Sequence, residues 1–114
     1  MININNITII GNLVANPEKR ALPSGTVVCN FTVAHNESWK DSSGQKHERA
    51  HFFPVVCYAG LAEVCEEHLE KGQQVCVLGS LRQEKWEKDG QKHSRLVIKA
   101  NEVQFGRKSQ QSNQ

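Results

Sequence analysis

One segment of this chain breaks the pattern of all the others. In "LAEVCEEHLEKG", residues 61–72, Leu61, Val64, Cys65 and Leu69 recur at helical spacing, and Gly72 is a natural stop. Elsewhere the apolar residues alternate with period 2, the signature of strands with one buried face. Ile7, Ile9 and Leu13 share a parity, as do Val27, Cys29, Phe31 and Val33. "AHFFPVVCY" is a third such run, with Pro54 arguing for an edge or bulge position. After the helix, Val75, Val77 and Leu81 share a core parity, and so do Leu96, Ile98 and Ala100. Val103 and Phe105 fall on the opposite parity, which predicts a bulge near Asn101 or a strand ending. Gly11 interrupts the first run and predicts a bend or bulge there.

"NPEKRALPSG" reads as a turn-rich connection and "ESWKDSSGQKHER" as a polar loop centred on Asp41 to Gly44. Asp89-Gly90 is a strong two-residue hairpin signal joining the last two strands. The order is therefore strand, strand, strand, helix, strand, strand. Five strands with one helix between the third and fourth is the order of an all-β OB-fold barrel, although another small α+β barrel has the same pattern. The domain spans residues 1–106, and the polar residues 107–114, with no apolar side chain, read as a short disordered tail.

At 114 residues the chain has room for one modest core. "MININNITII" has neither a basic start nor a long apolar stretch, so no signal peptide or membrane span is expected, and the protein reads as cytoplasmic. Cys29, Cys57, Cys65 and Cys76 form no C-x-x-C pair and read as reduced, buried small hydrophobes. His47 and His51 have the four-residue spacing of a helical metal pair but lie in a polar loop, so no metal and no cofactor is expected. No nucleophile triad, carboxylate pair or phosphate loop is visible, which points away from an enzyme. Net charge is only +2, but it is segregated. Residues 61–70 carry four Glu and no Lys or Arg, whereas residues 82–108 carry eight Lys or Arg against four Asp or Glu.

Four of the seven aromatics sit where a core does not call for them. Trp86, near the Asp89-Gly90 turn, has the parity of Arg82 and not that of the core residues of its strand. Phe52, Val56 and Tyr58 share a face, and Phe52 lies about 20 Å from Tyr58 along an extended strand. Trp39 stands in the polar loop between Ser38 and Lys40. Rings spaced along a path with cations nearby are what a single-stranded nucleic-acid groove needs. Bases stack on the rings at about 1–3 kcal/mol each, and the phosphates meet Lys and Arg. The candidate stacking residues are Trp39, Phe52, Tyr58 and Trp86. The candidate backbone contacts are Arg20, Lys40, Lys71, Arg82, Lys85, Lys88, Arg95 and Lys99. Half-buried sheet packing, barrel-end capping or a subunit contact would also accommodate these rings.

Four segments carry a family likeness: "IIGNLVANPEKR", "PSGTVVCNFTVAHNESWKD", "VVCYAGLAEVCEEHLEKGQQV" and "GSLRQEKWEKDGQ". Over residues 7–105 the chain resembles the bacterial single-stranded DNA-binding protein family. The resemblance implies a homotetramer of OB folds that coats and protects single-stranded DNA, independent of sequence, in replication, recombination and repair on the cytoplasmic nucleoid. The family's stacking aromatics fall on Trp39, Phe52, Tyr58 and Trp86, with Phe52 where Trp is frequent and Tyr58 where Phe is common. Matching basic positions are Arg20, Lys71, Arg82 and Lys85. Pro54 and Gly60 stand where the family often has basic residues, which weakens expected phosphate contacts along that strand. The chain reads as a short form: after "GRKSQQSNQ" it has no acidic, Phe-ended tip of the kind that recruits replication or recombination proteins. Two other readings are a primosome-type OB adaptor, a dimer, and an OB module that binds protein through the acidic helix.

Overall fold

The computed structural model describes residues 1–108. The elements are β1 (Ile7–Leu13), β2 (Glu18–Ala21), β3 (Val27–Lys40), β4 (Lys46–Tyr58), α1 (Ala59–His68), β5 (Gln74–Lys88) and β6 (Gln91–Phe105). They form one sheet in the order β1-β5-β6-β4-β3-β2, and an additional β1–β3 pairing closes five of the strands into a barrel. The expected OB-fold barrel is therefore present. β2 is an extra strand in what the sequence presents as a turn-rich connection. It pairs Glu18↔Asn30 through Ala21↔Val27, beyond the point where β1 covers β3 at Asn12↔Ala34 and Leu13↔Val33. With β2 counted, the helix lies between the fourth and fifth strands, at the expected place in the chain.

Two glycines stand where backbones approach closely. A Cβ on Gly11 would stand 2.2 Å from the Ala34 carbonyl oxygen, and one on Gly79 would stand 2.0 Å from that of Lys99. Gly11 thus marks the tight approach of β1 to β3, where the sequence indicates only a bend or bulge. The bulge expected near Asn101 is present. The β5–β6 register steps from Gly79↔Ala100 to Leu78↔Glu102 and passes over Asn101. That extra residue puts Ala100 and Val103 on the same inner face despite their opposite parity. Both belong to the core with Leu13, Cys29, Phe31, Val33, Val55, Cys57, Val75, Val77 and Ile98, which Ala62, Cys65 and Leu69 close from the helix side.

A second, smaller cluster lies outside the barrel. Val28, Val56 and Val97 are buried there against Leu22 and Tyr58. Leu81 and Leu96 depart from expectation in the other direction. Both have core parity, yet they are 42% and 57% exposed, because β5 and β6 run on past the barrel end as a two-stranded ribbon. β4 and β6 are parallel neighbours only at Val55↔Ile98 and Val56↔Lys99. Pro54 stands where that ladder stops, which fits its expected edge position. The loop read at "ESWKDSSGQKHER" is mostly ladder as well: β3 and β4 pair continuously to Lys40↔Lys46, leaving a five-residue tip.

The first two residues of the expected tail make contacts with the domain. The Arg107 carbonyl accepts from the Gln74 N–H at 3.0 Å, and Lys108 pairs with Glu70 at 3.2 Å. The rest of the tail, residues 109–114, lies outside the described residues.

Candidate functional site

In an antiparallel ladder, directly opposed residues share a face, so register assigns each candidate a side. Arg20 opposes Val28, and Val28 opposes Tyr58. Asn30 opposes Val56, and Val56 neighbours Lys99. Arg82 opposes Val97. These residues lie on the outer face, around the small Val28–Val56–Val97 cluster. That cluster is a dry floor, and the polar groups stand around it.

Two grooves follow from this arrangement. A cleft of about 470 Å³ runs over Asn30, Thr32 and Pro54, walled by Val14, Asn16 and Arg20 on one side and by Arg95 on the other. It brings together two candidate cations, Arg20 and Arg95, that lie 75 positions apart in the chain. Beside it, the Arg82 guanidinium carbon lies 5.8 Å from the Tyr58 ring centroid, and Nη1 donates to the Tyr58 hydroxyl at 3.3 Å. The arginine holds the half-buried ring in place and keeps its own charge at the surface. Phe52, opposite Ala34, is 62% exposed on the same outer side of β4. The ring also lines an apolar cleft with Ile7, Ile9, Leu81 and Leu96.

The two tryptophans stand at the ends of the two ribbons, each stacked on a histidine. Trp39 of β3 opposes His47 of β4, with ring centroids 5.5 Å apart and planes at 20°. Trp86 of β5 opposes His93 of β6, at 5.5 Å and 19°. Trp39 is 39% exposed and Trp86 44%. Each is held from one side and open to solvent on the rest. Arg49 adds a second contact to Trp39, its guanidinium carbon 5.4 Å from the ring centroid. By strand parity Trp86 shares the side of Arg82, Glu84 and Lys88, continuing the outer stripe past Arg95, which pairs with Glu84 at 3.1 Å. Trp39 shares the parity of Val33 and Phe31, so it lies on the opposite side of its ribbon from Phe52.

The remaining candidates spread more widely. Lys40 opposes Lys46 at a ribbon tip, a like-charged pair. Lys85 opposes Ser94 on the side of β5 away from Trp86. Lys71 lies in the turn after the helix, and its N–H donates to Asn16 Oδ1 at 2.8 Å behind the cleft wall. Among the described residues no ion-pair partner is found for Arg20, Lys40, Lys71, Arg82, Lys85, Lys88 or Lys99. The acidic helix is partly neutralised from within: Lys19 reaches Glu63 at 3.1 Å and Glu66 at 3.8 Å.

Histidine and cysteine chemistry is otherwise occupied. His47 Nε2 meets Asp41 Oδ2 at 2.8 Å, and His51 Nε2 meets Glu37 Oε1 at 2.8 Å, so the two imidazoles engage separate carboxylates. Cys29, Cys57 and Cys65 are buried together. The contact with Cys29, then that with Cys65, and burial hold the Cys57 thiol above its usual range and protonated, a poor nucleophile or metal ligand. Among the described residues no group of three His, Cys, Asp or Glu is placed to hold a metal. His47, His93 and Arg49 are the site residues that sequence reasoning missed. The cross-strand distance from the Asp89-Gly90 turn pairs Trp86 with His93, so one of them was within reach of the sequence.

The chain is similar to known proteins in sequence and fold. The family model described as "Single-strand binding protein family" matches residues 4–106. A protein of Aquifex aeolicus named "Single-stranded DNA-binding protein" is 44% identical over 102 residues, covering 90% of this chain and 69% of its own. Xylella fastidiosa "Single-stranded DNA-binding protein 1" is 39% identical over 115 residues, covering 99% and 85%. Among solved structures, "Plasmodium falciparum SSB complex with ssDNA" superposes with a TM-score of 0.82 at 27% identity, over 92% of this chain and 96% of that one. A deletion mutant of the Thermus aquaticus single-stranded DNA binding protein gives 0.79 at 33% identity, over 90% of this chain and 50% of that one.

Proposed function

The chain belongs to the single-strand binding protein family, and from that membership we propose that it binds single-stranded DNA without reading base sequence. The observation that carries this is the outer stripe. Tyr58 under Arg82, the Arg20–Arg95 cleft and Trp86 at the ribbon end supply rings and cations in alternation over an apolar floor. Rings take any base, because every base has a π-face, and cations take the phosphates. The strand lies along this stripe with bases on Tyr58, Phe52 and Trp86, and Trp39 engages it where it passes the second ribbon. Arg20, Arg82, Lys88, Arg95 and Lys99 line the path, while Lys40, Lys71 and Lys85 extend the positive field around it. Lys85 contacts phosphate only where the strand wraps the ribbon.

The activity is coverage and protection rather than catalysis, in replication, recombination and repair in the cytoplasm. Among the described residues no helix is long and apolar enough to cross a membrane. Titration with oligo-dT at several salt concentrations tests the reading. Tight binding that weakens linearly on a log–log salt plot, with quenching of tryptophan emission, is the expected result. Unchanged emission together with no retardation of the oligonucleotide would refute it.

The assembled form on this reading is a homotetramer. An apolar cleft of about 500 Å³, lined by Ile7, Ile9, Phe52, Phe53, Leu81, Leu96 and Ile98, opens at the barrel end, and Ile4, before β1, and Ile10, within it, are 79% and 53% exposed. Apolar surface of this kind calls for a partner, and a second copy of the chain satisfies it. Light scattering at micromolar concentration reads the state directly. A dimer would favour the primosome-type adaptor, and a monomer would remove the assembly altogether.

A further inference from the structure

The two tryptophan stations share their ring geometry and differ in charge. At the β3–β4 tip the imidazole that backs Trp39 already holds a carboxylate, Asp41, at 2.8 Å. His47 therefore has an anion of its own. At the β5–β6 tip, His93 backs Trp86 at 5.5 Å with planes 19° apart, and the salt bridges among the described residues give it no acidic partner. The charged groups on its face are Lys88, two pairs nearer the turn, and Arg95 with Glu84, two pairs nearer the barrel and already joined at 3.1 Å. A protonated His93 therefore sits between two cations, only one of which has its own counter-charge. The group missing from that cluster is an anion.

We propose that His93 is a further DNA-binding residue, which stacks behind Trp86 and in its protonated form holds the phosphate beside the base on that indole, so that binding tightens on acidification. This rests on the reading of the chain as a single-stranded DNA binder. The sign follows from linkage. DNA favours the protonated imidazole, so protonation favours DNA by the same factor. Histidine is the side chain whose charge ordinarily changes between about pH 5 and 8.

The test is oligo-dT binding at about pH 8 and about pH 5.5 by the intact protein and by His93→Gln, His93→Arg and His47→Gln. Thymine has no group that titrates in this interval, so a pH response belongs to the protein. The intact protein should bind about two- to fivefold more tightly at the lower pH, the size of one exposed charge interaction. Its salt slope should steepen by about 0.7. His47→Gln should keep the response, His93→Gln should lose that share of it, and His93→Arg, a permanent planar cation, should bind tightly at both values. A pH response and slope change in His93→Gln equal to those of the intact protein would overturn the inference and leave the proposed function standing. No binding by the intact protein at either pH would overturn both.

Discussion

At the scale of single residues, exposure separates binding from packing. Trp86 is 44% exposed at a ribbon end. Trp86→Ala should lower the free energy of unfolding by about 0.5 kcal/mol or less. It should weaken oligo-dT binding by about 1–3 kcal/mol for each engaged station. A urea melt and a titration on the same variant measure both quantities, and a packing role would reverse their order, with about 3–5 kcal/mol lost from stability. Register supplies a second contrast. Lys99 neighbours Val56 on the outer face, whereas Lys85 stands on the far side of the ribbon from Trp86. Lys99→Ala should reduce the salt slope by about 0.7, and Lys85→Ala should change it less. Salt titrations of the two variants decide the path of the strand.

The elements that carry the tryptophans are two hairpins built differently. The β5–β6 turn is set by Asp89 and Gly90 in left-handed conformation, φ 53° and 78°, which matches the twist of the flanking strands. The β3–β4 tip is instead organised by one carboxylate. Asp41 accepts from His47 at 2.8 Å, from the Ser43 hydroxyl at 2.7 Å and from the N–H groups of Ser43 and Gln45 at 3.0 and 2.9 Å. His47 first, then Ser43 and the Gln45 amide, hold its carboxyl down at about 2. A folded-state value below the unfolded one, about 3.9, means that the stabilising effect is present above pH ~4 and is lost as pH falls towards 2. Amide exchange at Ser43 and Gln45 should therefore accelerate, relative to the Trp86 ribbon, as pH falls from about 4 to 2. Equal change at both tips would contradict this account. Asp41→Asn should loosen the same tip at neutral pH.

For the whole molecule the governing condition is closure. The β1–β3 contact converts an open sheet into a barrel, and Gly11 is where an added side chain would run into the β3 backbone. Gly11→Ala should cost about 3 kcal/mol, the upper end for overpacking, because the obstructing atom is a backbone carbonyl that no side-chain rotation can move. Thermal and urea melts measure that loss. Gly25→Ala gives a comparison site where a Cβ meets nothing within 4 Å and only the left-handed φ of 93° is strained. A similar loss at both positions would mean that closure is not what Gly11 protects. The barrel also sets where the binding surface can be. Its inner face is filled, so the rings and cations must lie on the outer face and on the ribbons that overrun the barrel.

By itself, the sequence determined the alternation and its one interruption, and these are local properties. Strand period, the single helical segment, the Asp89-Gly90 turn and even the bulge at Asn101 follow from the parity of neighbouring residues and the conformations that Gly and Asp permit. The exposure of Trp39, Phe52 and Trp86 was legible for the same reason: an aromatic off the core parity, or in a polar segment, has no inward place to go. Local signals could not say how far the ladders run, so β2 and most of the β3–β4 ribbon read as connections. Their polar residues are held extended by cross-strand hydrogen bonds to partners distant in the chain. Nor could parity show that Leu81 and Leu96 pass beyond the barrel end, that Val28, Val56 and Val97 form a second dry cluster outside it, or that Arg20 and Arg95 meet across one cleft. Those facts depend on where strands cross in space, and crossing is fixed only when the barrel closes.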